Sequence, residues 1–140
     1  MLNILVIGSG AREHAIVRSL SRSSKKKEIY CLATNYNPGI AEVCKDMAVA
    51  DINDSETVKI YAKKKKIDFA IIGPENPLAN GVADALFDIG VESVGPKKDL
   101  AQIETSKSFT RNLLTEYKIP GCPKFKTFSS MEGVKEFLGE

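Results

Sequence analysis

The sequence predicts an α/β fold in which helices cover both faces of a parallel five-stranded β-sheet. Short apolar runs rich in β-branched residues alternate with segments whose apolar residues recur at helical spacing. Turns that contain glycine or proline separate these segments. Repeated alternation of strand and helix favours a parallel sheet with right-handed crossovers, and we expect the strand order 3-2-1-4-5.

The first predicted strand is a short apolar run that ends directly at a glycine-rich turn. The later strands resemble it in length and in the turn residues that bound them, which favours strands over helices. In chain order, the five predicted strands are Asn3–Ile7, Glu28–Ala33, Met47–Ala50, Asp68–Ile72 and Glu92–Val94.

The helices predicted between these strands are Ala11–Leu20, Ile40–Cys44, a segment that begins at Asp54 or Ser55 and ends in a lysine run, and Leu78–Ile89. Asp54 and Ser55 are good N-caps, and lysine suits the C-terminal end of a helix dipole. The stretch Gly73-Pro74-Glu75-Asn76-Pro77 predicts a turn that no helix crosses, because it contains two prolines.

The regular alternation of strand and helix ends after the fifth strand. Predicted there are helices at Lys97–Glu104 and Ser106–Tyr117, a strand at Lys124–Phe128, and a helix at Ser130–Leu138 capped by Ser129 or Ser130. One strand with its helices cannot bury a core of its own. We therefore expect a first domain over residues 1–103 and an incomplete second domain over residues 104–140.

Two unusual loops are expected to meet at one edge of this Rossmann-like sheet. Gly8-Ser9-Gly10 follows the first strand, and Gly73-Pro74-Glu75 follows the fourth. In the order 3-2-1-4-5 these two strands are neighbours, and the order reverses between them. Open sheets bind ligands at the carboxyl ends of strands at such a switch point.

Composition excludes several classes of function. The formal net charge is +2, with 43% hydrophobic and 27% charged residues, which does not favour a nucleic-acid partner. Three cysteines without a CxxC pair indicate neither a zinc site nor a disulfide framework. No apolar run is long enough to span a membrane, and no signal peptide precedes the first strand. We therefore expect a cytoplasmic protein without a metal centre of its own.

The first glycine turn departs from a nicotinamide-binding fingerprint. Glu13 stands where the third glycine belongs, and no acidic residue ends the second strand at Ala33. A phosphate site is still compatible with the turn, because Gly8 and Gly10 let the backbone approach an anion and Arg12 could contact it. The alternative is that Arg12 and Glu13 are solvent-facing residues of the first helical turn.

Two further side chains are candidate ligand contacts. Glu75 lies between Pro74 and Pro77, so its loop is stiff, and its carboxylate could accept hydrogen bonds from sugar hydroxyls; the alternative is an exposed turn residue. Lys107 lies near a predicted helix start and could reach a phosphate as a point charge, or it could simply be solvated. No motif places a nucleophile beside His14, which is the single histidine.

Three motifs, at matching spacing, identify a family resemblance. They are GSGAREHA at residues 8–15, GPENPLANGVAD at 73–84, and GP at 95–96 followed by AQIETSKSF at 101–109. The chain resembles the N-terminal portion of the glycinamide ribonucleotide synthetases, which are ATP-grasp ligases. The loop at residues 35–39 departs from the family pattern, and the family enzymes continue far beyond residue 140.

The resemblance implies a ligase of de novo purine synthesis. Such an enzyme uses ATP and Mg²⁺ to join glycine to 5-phosphoribosylamine through glycyl phosphate. Gly8, Gly10, Arg12, Glu13 and Glu75 would line the phosphoribosyl site, and Lys107 would contact the ATP phosphates.

The chain's length then implies a fragment that needs the remainder of the ligase. We expect these 140 residues to contain no catalytic residue, to bind no cofactor tightly and to be inactive alone. A non-catalytic NAD- or nucleotide-binding regulatory module, and the equivalent domain of another ATP-grasp enzyme, are the alternatives.

Overall fold

The computed structural model of the protein describes residues 1–139. The chain divides into two compact units, the first comprising Met1–Ala101 and the second beginning at Gln102. The predicted domain boundary, between residues 103 and 104, stays a prediction.

The first unit is built on one parallel sheet with the predicted strand order, β3-β2-β1-β4-β5. Its strands are β1 (Leu2–Ile7), β2 (Lys27–Ala33), β3 (Asp46–Val49), β4 (Phe69–Ile72) and β5 (Glu92–Val94). All five predicted strands are thus present, with ends that differ by at most one residue. The α/β fold and the order 3-2-1-4-5 are confirmed.

The helices of this unit are α1 (Ala11–Ser21), α2 (Pro38–Ala41), α3 (Ser55–Lys65), α4 (Glu75–Ala79) and α5 (Val82–Phe87). The Asp54 side chain caps α3 by accepting from the backbone N–H groups of Glu56 and Thr57. Helix α2 begins at Pro38, two residues before the predicted start, because Asn37 caps it by accepting from the Ile40 N–H.

Apolar side chains pack on both faces of the sheet. Alternate residues of β1 point to opposite faces, so that Leu5 and Ile7 join the larger core and Val6 joins the smaller one. The larger core includes Val58 of α3 and Leu86 of α5. The smaller core includes Val17 of α1 and Ile40 of α2. Helices therefore cover the two faces, as predicted.

The prediction was wrong between β4 and β5. A helix does cross Pro77, which is the third residue of α4, because the first turn of a helix has no intrahelical partner for its N–H groups. The predicted single helix over Leu78–Ile89 is instead two helices, because Gly81 adopts a left-handed conformation with φ of 79°.

The remaining helices are α6 (Lys98–Thr105), α7 (Lys107–Glu116) and α8 (Val134–Leu138). Ser106 caps α7 by accepting from the Phe109 N–H, which separates α6 from α7. The predicted strand at residues 124–128 is not a strand, since no strand of the described chain pairs with it. The last helix begins after Gly133, rather than at Ser129 or Ser130, because Gly133 has a φ of 76°.

Candidate functional site

The loops after β1, β2 and β4 emerge side by side at the carboxyl edge of the sheet. Gly8 N–H donates to the Leu32 carbonyl oxygen over 2.9 Å, and Gly73 N–H donates to the Ile7 carbonyl oxygen over 3.1 Å. These bonds extend the strand pairing by one residue into each loop. The two glycine loops predicted to converge at the switch point are therefore held next to each other.

The loop after β1 is also fixed from the side of β2. Gly8 turns the chain with a φ of 118°, a value that favours glycine. Its carbonyl oxygen accepts from the Cys31 thiol over 3.4 Å, and the Ser9 carbonyl oxygen accepts from the Asn37 side-chain amide over 2.8 Å. The loop is thus anchored to both β2 and the start of α2.

Glu13 is buried, with 3% of its surface exposed, in the first turn of α1. One carboxylate oxygen, Oε2, accepts from the Gly10 N–H over 2.6 Å. This bond satisfies an N–H at the start of the helix and places negative charge at the positive end of the helix dipole. The expectation of a solvent-facing Glu13, one of the two alternatives for this position, is wrong.

Glycines surround the Glu13 side chain on three sides. A β-carbon would lie 2.8 Å from Glu13 Cγ at Gly8, 2.8 Å from Oε2 at Gly10, and 2.0 Å from Oε1 at Gly73. These separations are shorter than any ordinary contact. The Glu13 carboxylate therefore occupies a slot between the loops after β1 and β4 that exists only because all three positions are glycine.

Arg12 and Glu75 face each other at the solvent side of this slot. Arg12 Nη2 lies 3.7 Å from Glu75 Oε2, and Arg12 Nε lies 4.0 Å from Glu13 Oε1. The Arg12 side chain is 66% exposed and that of Glu75 is 51% exposed. One guanidinium group and one carboxylate are therefore available to a ligand, and they come from two loops far apart in sequence.

The His14 side chain packs against Gly39 of α2. A β-carbon at Gly39 would lie 2.7 Å from both Nε2 and Cε1 of the imidazole. His14 Nε2 is buried and has no hydrogen-bond partner among the described residues. The geometry thus gives His14 a packing contact and no nucleophile to activate.

The cysteines of the first unit are poor nucleophiles. Burial raises the pKa of the Cys31 thiol to about 12 and that of Cys44 to about 11. Both thiols are free and protonated at neutral pH.

Two further kinds of feature are absent from residues 1–139. Their His, Cys, Asp and Glu side chains do not form a group of three or more that could hold a metal ion. None of their helices has the length and apolarity needed to cross a membrane.

Lys107 lies in the second unit as the first residue of α7. It lines a surface depression together with Arg111 and Lys126, and the aromatic rings of Phe125 and Phe128 form part of the wall. Three cationic side chains around one depression could hold a polyanion such as a chain of phosphates.

The sequence predicted that the loops carrying Arg12 and Glu75 would meet, but it did not predict that Glu13 is buried between them. The missed signal was its spacing, since a glutamate three residues after a helix N-cap commonly reaches back to the N-cap N–H. No local pattern pointed to Gly73 as the opposite wall, because that contact depends on the pairing of β1 with β4.

Comparison with known proteins gives a family match over most of the chain. Residues 2–104 match the family described as "Phosphoribosylglycinamide synthetase, N domain". The phosphoribosylamine–glycine ligase of Methanococcoides burtonii is 44% identical over 139 residues, which are 99% of this chain and 32% of that protein. Its counterpart in Methanocaldococcus jannaschii is 45% identical over 140 residues, or 99% of this chain and 31% of that protein. The chain thus spans about a third of the length of these relatives.

A solved structure shares the fold at low sequence identity. The N5-carboxyaminoimidazole synthetase of Staphylococcus aureus, solved with ADP, aligns with a TM-score of 0.73 at 14% identity. The alignment covers 99% of this chain and 36% of that one.

Proposed function

The chain belongs to the phosphoribosylglycinamide synthetase N-domain family, and from that premise we propose that its first unit binds the phosphoribosyl substrate of a ligase. This ligase joins glycine to 5-phosphoribosylamine at the expense of ATP. The family resemblance drawn from the three sequence motifs is confirmed by the family match and by relatives 44% and 45% identical. The activity of the whole enzyme is a proposal, because the chain spans about a third of those relatives.

The observation that carries the proposal is the meeting of Arg12 and Glu75 at the switch point, 3.7 Å apart and half or more exposed. A guanidinium group suits phosphate oxygens, which it can contact in bidentate fashion. A carboxylate accepts hydrogen bonds, so it suits sugar hydroxyls or an amine. A phosphorylated sugar carrying an amine presents both kinds of group.

The backbone of the β1–α1 loop adds to this pair. Gly8 and Gly10 bring the main chain close to the crevice, since neither carries a side chain. Together with Glu13, which shapes the loop, these residues form the proposed phosphoribosyl site. A nicotinamide cofactor fits it less well, because Glu13 fills the position of the third glycine and β2 ends in Ala33 without an acid.

The proposed reaction has two steps. The glycine carboxylate attacks the γ-phosphate of ATP, giving glycyl phosphate and ADP. The amine of 5-phosphoribosylamine then attacks the acyl carbon, forms the amide and releases phosphate. Cationic groups stabilise the charge that phosphoryl transfer develops.

ATP use is proposed from the family and from the ADP complex of the Staphylococcus aureus neighbour. Lys107, with Arg111 and Lys126 beside it, suits phosphate oxygens in charge, and we propose that Lys107 contacts the ATP phosphates in the complete enzyme. Mg²⁺ would supply charge neutralisation at those phosphates. The described residues provide no carboxylate cluster for it, so none of them is assigned as its ligand.

Replacing Glu75 by glutamine tests the phosphoribosyl site. Calorimetry of the 140-residue chain with ribose 5-phosphate should show about three- to tenfold weaker binding for Glu75→Gln, since the amide accepts weaker hydrogen bonds than the carboxylate. Glu92→Gln is the matched control, because Glu92 is exposed at the amino end of β5, at the opposite edge of the sheet.

Unchanged affinity in Glu75→Gln would remove Glu75 from the site. Titration of the unsubstituted chain with NAD is the test against the regulatory-module alternative. Tight binding of NAD without binding of ribose 5-phosphate would overturn the proposed function.

A further inference from the structure

We propose that Glu13 is a positioning residue, one that sets the spacing between the loops after β1 and β4 and so presents Arg12 and Glu75 to the ligand. This inference rests on the proposed function, since it assigns a role within the same site. The ligand would touch the exposed side chains, and Glu13 would act through the backbone that it holds.

The burial of Glu13 favours this role over direct contact. Its side chain is 4% exposed, whereas that of Arg12 beside it is 66% exposed. Oε2 is occupied by the Gly10 N–H over 2.6 Å. Oε1 is buried, without a hydrogen-bond partner among the described residues, and a β-carbon on Gly73 would lie 2.0 Å from it. Oε2 is therefore occupied and Oε1 is enclosed, so that neither oxygen is exposed to a ligand.

The glycines around Glu13 show that the side chain holds two loops at once. Gly10 has a φ of −78°, which any residue adopts, and Gly73 does not lie in the left-handed region. Backbone conformation therefore explains neither glycine. At both positions the Glu13 carboxylate fills the space of the missing side chain, so the two glycines and Glu13 form one packed unit.

The packed unit links Glu13 to both ligand-facing residues. Arg12 directly precedes Glu13 on α1, and Glu75 follows Gly73 by two residues. A shift of either loop would change the 3.7 Å separation between the Arg12 and Glu75 side chains. The width of the crevice, and hence the fit of a ligand, is therefore set by the buried carboxylate.

Two substitutions separate positioning from direct contact. Glu13→Gln keeps the shape of the side chain and an oxygen that can accept from the Gly10 N–H, whereas Glu13→Ala removes both. The probe is ribose 5-phosphate and the measurement is its dissociation constant for the 140-residue chain, taken well below each variant's melting temperature.

We expect Glu13→Gln to bind within about threefold of the unsubstituted chain, because it keeps the acceptor for the Gly10 N–H and fills the slot. Glu13→Ala should bind about tenfold or more weakly, because it removes the acceptor and leaves the slot empty. Glu42→Gln, a change at an exposed carboxylate of the same unit, should leave binding unchanged. Rescue by glutamine is not expected of a carboxylate whose charge contacts the ligand. Equal losses in Glu13→Gln and Glu13→Ala would therefore overturn the inference, and so would unchanged binding in Glu13→Ala.

A second measurement needs no ligand. Gly73→Ala should lower the melting temperature by about 5 °C or more, because the new methyl group overlaps Glu13. In the Glu13→Ala background, Gly73→Ala should lower the melting temperature much less, because the slot is empty. Additive effects would overturn the proposed packing. If the unsubstituted chain binds no ribose 5-phosphate, the proposed function fails, and this thermal cycle still decides whether Glu13 spaces the loops.

Discussion

His14 and Gly39 show how one side chain constrains the residue at a distant position in the sequence. The imidazole lies where a side chain at Gly39 would otherwise be, with a hypothetical β-carbon 2.7 Å from Nε2. Gly39 is the second residue of α2 and does not need a left-handed backbone. Its lack of a side chain is therefore explained by packing alone, as at Gly10 and Gly73.

The effect of Gly39→Ala on the free energy of unfolding should consequently depend on the residue at position 14. In the unsubstituted chain Gly39→Ala should destabilise the first unit by about 1–3 kcal/mol, the usual cost of overpacking. In a His14→Ala background it should be neutral or stabilising, because alanine favours a helix over glycine by about 1 kcal/mol. Urea unfolding of the four proteins measures both effects. A Gly39→Ala cost that is the same in both backgrounds would contradict the packing explanation.

At the scale of the element, the strands were predictable and the helices near special backbone positions were not. Each strand is a short apolar run bounded by turn residues, so local sequence is sufficient to predict it. Helix α4 was missed because proline is tolerated in a first turn, and the separation of α4 from α5 was missed because Gly81 adopts φ of 79°. The sequence alone does not reveal which glycines adopt a left-handed backbone conformation.

The same division applies to the candidate site. The convergence of Arg12 and Glu75 followed from strand order, which alternation of elements predicts. The burial of Glu13 could not be predicted with the same certainty, because it requires the exact approach of Gly73 from a neighbouring strand. The order of the strands follows from the alternation of strands and helices along the sequence. The slot around Glu13, in contrast, depends on contacts that form only when the sheet is assembled.

Helix α3 is tied to the edge strand β3 by a polar contact. Lys65 Nζ lies 2.9 Å from Asp46 Oδ2, and the Tyr61 hydroxyl donates to the same oxygen over 2.7 Å. The hydrogen bonds from Lys65 and then Tyr61 lower the pKa of the Asp46 carboxyl below its ordinary value. The ionised form is therefore stabilised by folding.

This contact should contribute to the acid sensitivity of the first unit. Because the folded-state pKa is lowered, the contribution of Asp46 is present above the unfolded pKa of about 4 and is lost as pH falls through the folded value. Asp46→Asn should reduce the free energy of unfolding at pH 7 by about 0.5 kcal/mol, a small amount because the carboxylate is 38% exposed.

The stability difference between the two proteins should then shrink as pH falls below about 4. Urea titrations at pH 7 and at several values below 5 measure it, with Asp88→Asn, at an exposed position of the first unit, as the control. A difference that stays constant across this range would show that the substitution acts through something other than the ionised carboxylate.

At the scale of the whole molecule, burial is concentrated in the first unit. The fully buried residues of the described chain end at Ala101, which is 0% exposed within the larger core. The residues described beyond it, 102–139, are all partly or fully exposed. The proposed phosphoribosyl site also lies entirely before residue 101. Core and crevice thus belong to the same unit.

A polypeptide of residues 1–105 should therefore fold cooperatively and bind ribose 5-phosphate like the 140-residue chain. It keeps all of α6, including Ala101 and the Lys98 N–H that donates to Asp84 Oδ2 over 2.9 Å. A polypeptide that ends at Lys97 lacks both and should melt at a lower temperature, because removing buried Ala101 exposes the core and leaves the Asp84 carboxylate without that donor.

Circular dichroism during heating compares the three chains, and calorimetry compares their affinities. A broad, non-cooperative transition for residues 1–105, together with a sharp one for the 140-residue chain, would show that the first unit depends on residues beyond α6 for its stability. Equal melting temperatures for the chains that end at residues 97 and 105 would instead show that Ala101 adds little to the core. The expected result places the boundary of the independently folding unit between residues 97 and 105, within α6.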